Sequence, residues 1–152
     1  MDIKRIHLVN VDYLSETYST DYYLYYLIRF SKLCKVVTLK DSPDPVAYIL
    51  GRTDTTKDGV YFGHVSALSV APAHRRQGLG KRLMAIFEAE CEAAGTVFID
   101  LFVRPSNDAA VKMYESLGFV IYRRVLEYYS GECPEDSYGK SICFIVRYAE
   151  EL

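Results

Sequence analysis

The chain has 152 residues, half of them hydrophobic and a quarter charged, and its net charge is −2. These values predict a single globular domain, residues 1–152, with a core of ordinary size, and so small a charge argues against a nucleic-acid partner. The sequence contains no apolar run of about twenty residues and no signal-peptide pattern, so we expect a cytoplasmic protein with no membrane contact.

The cysteines and histidines follow no disulfide or metal-binding pattern. The cysteines are at positions 34, 91, 133 and 143, and the histidines are at positions 7, 64 and 74. The cysteines have no CxxC spacing, and the histidines have no metal-ligand spacing. We therefore expect reduced thiols in the core and no metal site.

The N-terminal third predicts one helix and a β-hairpin. Asp21 can cap an aromatic-rich helix over residues 22–30, whose tyrosines suit either core packing, the simpler interpretation, or the wall of a binding site. Two apolar runs, residues 34–39 and 46–51, flank a proline-containing turn and are predicted to pair as a hairpin. A polar loop, residues 53–59, follows.

The centre of the sequence predicts a strand, a basic turn and a helix. Residues 61–71 mix apolar and small residues and end at Pro72, a pattern typical of a strand buried on both faces. Apolar residues then recur at helical spacing through residues 77–94, and Gly95 supplies a C-terminal cap.

The C-terminal part predicts three strands and one further helix. The helix is capped by Asn107, places Met113 and Tyr114 on its apolar face, and ends at Gly118. The strands are predicted over residues 97–103, 119–129 and 141–148, with a loop over residues 130–139. Strands and helices alternate in the middle of the chain, and strands cluster at its ends. This order predicts an α/β fold in which a mixed sheet carries helices on both faces.

The turn between the central strand and its helix is basic and rich in glycine. Free backbone N–H groups at a helix start, together with four cations, suit a phosphate group. The cations are Arg75, Arg76, Lys81 and Arg82. The residues alone leave two interpretations open, a phosphate site or a solvated helix start, because short glycine motifs match by chance.

The stretch Arg75-Arg-Gln-Gly78-Leu-Gly80 resembles the Arg/Gln-x-x-Gly-x-Gly/Ala signature of the GNAT family of acyl-CoA-dependent acetyltransferases. Further motifs, in residues 63–72, 97–104, 106–107, 113–114, 117–118 and 127–130, resemble those of NatB-type catalytic subunits. That resemblance implies a GNAT-type three-layer α/β sandwich with a mixed, mostly antiparallel sheet. Only ten residues precede residues 11–18, the stretch that ends with the Glu16-Thr-Tyr18 motif. The first strand of the family is therefore expected to be shortened or absent.

The resemblance implies acetyl-CoA as cosubstrate and no metal. The implied cofactor residues are Leu68, Val70, Arg75, Arg76, Gln77, Gly78, Leu79, Gly80, Asn107 and Tyr114. Leu68 is also expected to offer a backbone N–H to the developing oxyanion, and Asn107 to orient the reactants. Tyr114 is implied as the proton donor to the departing thiolate; without the resemblance it would be interpreted as a core residue. No carboxylate lies on residues 63–71, so we expect a base acting through water.

The resemblance also implies a peptide site for termini that begin Met-Asp, Met-Glu, Met-Asn or Met-Gln. His64 and Ser66, two apart on one strand face, are expected with Asn107 to bind the second side chain. The implied wall around the substrate amino terminus comprises Glu16, Tyr18, Tyr128 and Tyr129. Taken singly, a histidine on a strand is more often a satisfied core residue, and a Tyr-Tyr pair is usually structural.

Partners follow from the same resemblance. It implies an auxiliary helical-repeat subunit that provides ribosome association, and nascent peptides as substrates. Two alternatives stay open. One is a GNAT enzyme acting on Met-apolar termini or on lysine, and the other is a non-catalytic CoA-binding module of a complex.

Overall fold

The computed structural model describes the backbone of residues 3–12, 14–129 and 135–143, and the side chains of residues 5–12, 14–126 and 137–140. The helices are α1 (Thr20–Arg29), α2 (Leu79–Ala93) and α3 (Asp108–Ser116). The strands are β1 (Lys35–Thr38), β2 (Pro45–Thr55), β3 (Tyr61–Val70), β4 (Phe98–Val103), β5 (Val120–Tyr129) and β6 (Glu135–Cys143).

Within the described residues the strands form one six-stranded sheet in the order β1-β2-β3-β4-β6-β5. Only β3 and β4 pair in parallel, and every other neighbouring pair is antiparallel. The predicted mixed, mostly antiparallel sheet and the hairpin of β1 and β2 are therefore confirmed. The last strand lies between β4 and β5, so β5 forms the edge of the sheet.

Helices cover both faces of the sheet, as predicted. On one face, α2 and α3 pack on β2, β3 and β4 around Leu83, Phe87 and Leu101. On the other face, α1 buries Tyr23 and Tyr26 against Tyr48 and Leu50 of β2. Core packing is thus the role of two tyrosines of the aromatic helix, whereas Tyr25 is half exposed.

The chain enters the fold through a 3-10 helix, Ile3–Leu8, rather than a strand. Ile6 and Val9 bury their side chains beside α1, so this segment contributes to the core on that face. The expectation that the first strand is shortened or absent is met by the described residues.

Two predicted boundaries of α1 and α2 are wrong in detail. Ser19, not Asp21, caps α1: its backbone is extended, as an N-cap requires, and its Oγ accepts a hydrogen bond from the Tyr22 N–H at 3.3 Å. Helix α2 begins at Leu79 rather than at residue 77, because Gly78 has a left-handed backbone with φ of 77°.

Both α2 and α3 end at the predicted glycines. The Gly95 N–H donates to the Glu92 carbonyl, and the Gly118 N–H donates to the Glu115 carbonyl. The residue after each glycine donates its N–H to the carbonyl five positions earlier in the chain, Thr96 to Cys91 and Phe119 to Tyr114. These bonds form the Schellman motif, in which glycine takes the left-handed position. In α3 the motif brings the Phe119 ring to 5.8 Å from the Tyr114 ring and fixes the end of the helix that carries Tyr114.

The predicted loop over residues 130–139 is wrong in its second half, since β6 begins at Glu135; residues 144–148 of the predicted last strand lie outside the described residues. Serine, aspartate and glycine favour a loop by propensity, but pairing with a strand on each side overrides that preference. Gly139 fits because a Cβ there would lie 2.8 Å from Arg123 Cγ.

Candidate active site

The site begins with a β-bulge in the central strand. Ala67 pairs with Leu50 and Val65 with Gly51, so Ser66 is an extra residue with no partner on β2. A bulge bends its strand and increases its twist. The parallel pairing of β3 with β4 ends at Val65, and the two strands then separate into a wedge-shaped opening, here called the wedge.

The wedge exposes one edge of β3. The Ala71 N–H donates to the Val46 carbonyl at 2.8 Å, so Ala71 faces β2. Backbone groups alternate in direction along a strand, which turns those of Leu68 and Val70 toward the wedge. Arg75 Nε donates to the Val70 carbonyl at 2.9 Å, in agreement with that direction. Leu68 and Val70 are half-buried, so the predicted burial of this strand on both faces is wrong here.

Two cavities meet in the wedge. The larger, about 590 Å³, runs from β3 along the turn that contains Arg75 to the side of α3. The smaller, about 120 Å³, lies between β3, β4 and the segment before α1. The residues that line both are Ser15, Leu68, Ser69, Asn107, Ala110 and Tyr114. Of the predicted catalytic residues, Leu68, Asn107 and Tyr114 are thus brought together at the junction.

The turn before α2 forms one wall of the larger cavity. Arg76 and Gly78 both have positive φ, 63° and 77°, and a Cβ at Gly78 would meet nothing within 4 Å. Gly80 permits close packing, because a Cβ there would lie 2.9 Å from Met113 Sδ of α3. All the cofactor residues predicted within residues 75–80 line this cavity except Gln77. Of the two further cations, Lys81 lines it and Arg82 does not.

Arg75 is already engaged by the protein. Besides bonding the Val70 carbonyl, its guanidinium pairs with the Asp12 carboxylate at 2.6 Å. Partial burial acts to raise the pKa of Asp12, but hydrogen bonds from Arg75 and Ser15 outweigh it and hold that pKa below its ordinary value. The pair joins the segment before α1 to the turn before α2.

Asn107 and Tyr114 reach the junction from α3. Asn107 caps α3 through Oδ1, which accepts from the Ala110 N–H at 3.3 Å, so its Nδ2 is the group that remains for a ligand. Tyr114 is buried in the core on the α2 face and also lines both cavities. Tyr114 is therefore both a core residue and a residue of the cavity wall, and its role as proton donor stays a prediction.

The smaller cavity brings together the residues predicted for the peptide. His64 Nδ1 lies 2.6 Å from Asp100 Oδ1, and the Ser66 and Tyr26 hydroxyls are 2.7 Å apart. Both His64 and Ser66 line this cavity, as their spacing predicts. Tyr128 and Tyr129 belong to β5, but their side chains lie outside the described residues.

Glu16 and Tyr18 also line the smaller cavity. Glu16 forms an ion pair with Arg104, the residue directly after β4, and the Tyr18 ring stacks on Tyr22 with centroids 4.2 Å apart.

Sequence reasoning missed Asp100 and Arg104 as neighbours of the site, and it included Tyr26 only within the general alternative that the aromatic helix forms the wall of a binding site. A carboxylate inside the otherwise apolar stretch 97–103 was the available signal for Asp100, because buried acids need a partner. No local pattern marks Tyr26, whose partner is 40 residues away.

A sheet that opens beside a glycine-rich basic turn, with two cavities meeting in the opening, is the architecture of an acyltransferase that holds two substrates together. The profile described as the acetyltransferase (GNAT) family matches residues 3–119. The chain belongs to this family.

Similar proteins define the branch of the family. Over 134 residues the chain is 42% identical to the N-terminal acetyltransferase B complex catalytic subunit NAA20 of Arabidopsis thaliana, covering 86% of this chain and 75% of that protein. It is 41% identical over 133 residues to N-alpha-acetyltransferase 20 of Dictyostelium discoideum, covering 86% and 75%. These similarities make the chain an N-terminal acetyltransferase.

Solved structures of similar proteins agree with this assignment to the family. Chaetomium thermophilum Naa20 in complex with a bisubstrate analogue superposes with a TM-score of 0.89 at 30% identity, covering 99% of this chain and 86% of that chain. The NatB acetyltransferase complex bound to a bisubstrate inhibitor gives 0.84 at 28% identity, covering 93% and 85%. The predicted GNAT sandwich is therefore confirmed. None of the helices in the described part of the chain is long and apolar enough to cross a membrane.

Proposed function

We propose that this chain is a NatB-type catalytic subunit that moves an acetyl group from acetyl-CoA to the α-amino group of Met-Asp, Met-Glu, Met-Asn and Met-Gln termini. The observation that carries the proposal is the meeting of the two cavities at Leu68, Asn107 and Tyr114. A cofactor in the larger cavity and a peptide in the smaller one would present thioester and amine to each other at this junction.

The larger cavity has the chemistry that CoA requires. The start of α2 offers backbone N–H groups to the pyrophosphate, Arg76 and Lys81 add positive charge, and Gly78 leaves the approach open. Leu68 and Val70 offer apolar surface and strand-edge backbone groups to the pantetheine arm. In this arrangement Arg75 holds the turn in place through Asp12, and its direct role as a phosphate ligand is secondary.

The junction supplies the groups for transfer. Acetyl transfer needs a donor for the developing oxyanion and a proton for the leaving thiolate. The Leu68 N–H, which faces the wedge, is assigned to the oxyanion, and the Tyr114 hydroxyl to the thiolate. A phenol keeps its proton well above pH 7, and an α-amino group with a pKa near 8 is already about a tenth unprotonated there. Orientation by Asn107 then matters more than a strong base, and water serves as the base.

We assign the choice of peptide to the smaller cavity. His64, Ser66 and Asn107 Nδ2 place polar groups where the second side chain would lie, which favours Asp, Glu, Asn and Gln over apolar residues. Glu16 and Tyr18 are assigned to the substrate amino terminus and first methionine, together with Tyr128 and Tyr129. Because Glu16 pairs with Arg104, binding of a peptide amine would share or replace that ion pair.

The wider setting is part of the proposal. Curated relatives are named as subunits of an N-terminal acetyltransferase B complex. We assign this chain, as one domain over residues 1–152, to the cytoplasm, where an auxiliary helical-repeat subunit would hold it near the ribosome. Its partners would be nascent peptides, without direct contact to nucleic acid or membrane.

A peptide panel tests the function. The chain, alone and with an auxiliary subunit, is incubated with acetyl-CoA and peptides that begin Met-Asp, Met-Asn or Met-Leu, and with an N-blocked lysine peptide. Mass spectrometry locates the acetyl group. We expect acetylation of the α-amine in the first two. Preference for Met-Leu or lysine would move the chain to another branch of the family, and CoA binding without turnover would make it a binding module.

A further inference from the structure

Asp100 is a carboxylate enclosed in the sheet beside the smaller cavity. Its side chain is 12% exposed, and both of its oxygens are engaged. Oδ1 lies 2.6 Å from His64 Nδ1, and Oδ2 accepts a hydrogen bond from the Tyr122 hydroxyl at 3.3 Å. The parallel register of β3 and β4 sets His64 directly beside Asp100, so the contact is fixed by the backbone.

The contact decides which nitrogen of His64 can meet a ligand. A carboxylate only accepts hydrogen bonds, so Nδ1 must carry a proton, and Nε2 is left to face substrate. Neutral imidazole would then present a lone pair at Nε2, which repels a carboxylate. Imidazolium presents an N–H there, which binds one. In the imidazolium form, Nδ1–H makes an ion pair with Asp100 Oδ1 at 2.6 Å while Nε2–H faces the ligand.

We propose that Asp100 is a positioning residue that holds His64 as an Nε2 donor and thereby makes the enzyme prefer acidic over amide second residues. Tyr122 holds Asp100 in turn. Burial and the neighbouring Asp100 carboxylate raise the pKa of Tyr122 above its ordinary value, so its hydroxyl stays a donor. This inference rests on the proposed function, because it concerns the second side chain of the peptide.

Other charged groups lie near His64 and act less directly. Arg52 is opposite His64 on β2 and forms an ion pair with Asp54, which also has an electrostatic interaction with His64. The Arg123 guanidinium lies over the Phe102 and Tyr122 rings, 5.1 and 5.3 Å from their centroids. Asp54 is more exposed than Asp100 and is matched by Arg52, so it supplies a control for a general charge effect.

The test compares Asp100→Asn with the wild type on Met-Asp and Met-Asn peptides. Asparagine can still accept from Nδ1, so the tautomer is kept while the charge is lost. We expect the ratio of kcat/KM for Met-Asp over Met-Asn to fall roughly tenfold, the lower end of what a charge-assisted hydrogen bond provides. The change should lie in KM rather than kcat, since His64 contacts the side chain and not the reacting atoms.

The control is Asp54→Asn, which should leave the ratio within about twofold, as expected for an exposed ion-paired charge. Tyr122→Phe is the second variant and should shift the ratio in the same direction by less. If Asp100→Asn lowered kcat/KM equally for the Met-Asp and Met-Asn peptides, the proposal would be overturned. A shift of the ratio in Asp54→Asn as large as that in Asp100→Asn would also overturn it. If Asp100→Asn does not fold, Tyr122→Phe decides the question, and an unchanged Met-Asp to Met-Asn ratio of kcat/KM in that variant would overturn the proposal.

A second readout does not depend on turnover. Nitrogen-15 NMR of the imidazole rings, with His64→Ala used for assignment, reports the protons on each His64 nitrogen. We expect the neutral ring of wild-type His64 to carry its proton on Nδ1, as the 2.6 Å contact with Asp100 Oδ1 requires. A proton on Nε2 of the neutral ring would overturn the proposal even where no peptide is acetylated. Absence of turnover on every Met-Asp and Met-Asn peptide would instead reject the proposed function.

Discussion

Tyr114 shows how one side chain can belong to the core and to a reaction site. Its ring packs near Phe119, while the residue lines both cavities at their junction. Replacement by phenylalanine removes the hydroxyl and little volume. If that hydroxyl protonates the leaving thiolate, kcat should fall by roughly 100-fold or more, with little change in the free energy of unfolding. Steady-state kinetics and urea denaturation measure both, with the half-exposed Tyr25→Phe as control. A normal kcat would leave Tyr114 a core residue only.

His64 provides the residue-scale test of peptide choice. His64→Ala removes a hydrogen bond to a charged group, worth about 1.5–3 kcal/mol, so kcat/KM for a Met-Asp peptide should fall roughly ten- to a hundred-fold. A Met-Leu peptide has no such bond to lose and should change little. Competition between the two peptides in one reaction gives the ratio directly. Equal loss for both would make the histidine structural.

At the scale of elements, the turn before α2 is the feature on which cofactor binding depends. Gly78→Asp adds a side chain and a negative charge where we expect phosphate. Gly59→Asp is a matched control, because Gly59 also has positive φ, 83°, and open space around its Cβ. Calorimetry should show a strong loss of acetyl-CoA affinity in the first variant and none in the second. Equal affinity in both would place the phosphates elsewhere.

The Asp12–Arg75 pair links two elements and gives a pH-dependent contribution to stability. The folded-state pKa of Asp12 lies below its ordinary value of 3.8, so the contribution is present above that value and is lost as the pH falls through the folded-state pKa. Asp12→Asn should lower the free energy of unfolding by about 1 kcal/mol or less at pH 7, and the difference should shrink at an acid pH below 3.8. Urea denaturation at both pH values checks this, with exposed Asp58→Asn as reference. A difference that persists in acid would contradict the ion pair.

Prediction from sequence succeeded where a signal is local. The glycines that end α2 and α3, the Asn107 cap and the shared face of His64 and Ser66 are short-range patterns, and the structure has all of them. The failures depend on pairing between distant segments. The β6 strand forms between two neighbours despite its polar residues, and the bulge at Ser66 is visible only in the register with β2. The site residues missed, Asp100 and Arg104, bond to partners 36 and 88 positions away.

At the scale of the whole molecule, the wedge is where the layers of the sandwich come together. Helix α2 and its turn, helix α3 and the segment before α1 all reach the opening between β3 and β4. Each of these elements contributes one wall, so no single element contains a complete site. A ligand in the wedge therefore contacts parts of the chain that are otherwise joined mainly through the sheet.

This arrangement predicts that acetyl-CoA stabilises the entire fold. A ligand that binds only the folded state adds about 2.7 kcal/mol at a concentration of 100 Kd. For a chain of this length that corresponds to a rise in Tm of roughly 5–10 °C. Differential scanning fluorimetry over a range of acetyl-CoA concentrations should show a Tm that climbs with concentration in the wild type and in Gly59→Asp. The rise should be much smaller in Gly78→Asp, and pantetheine, which lacks the phosphates, should have little effect on any of the three. A Tm that does not depend on acetyl-CoA concentration in the wild type would mean that the larger cavity is not the cofactor site.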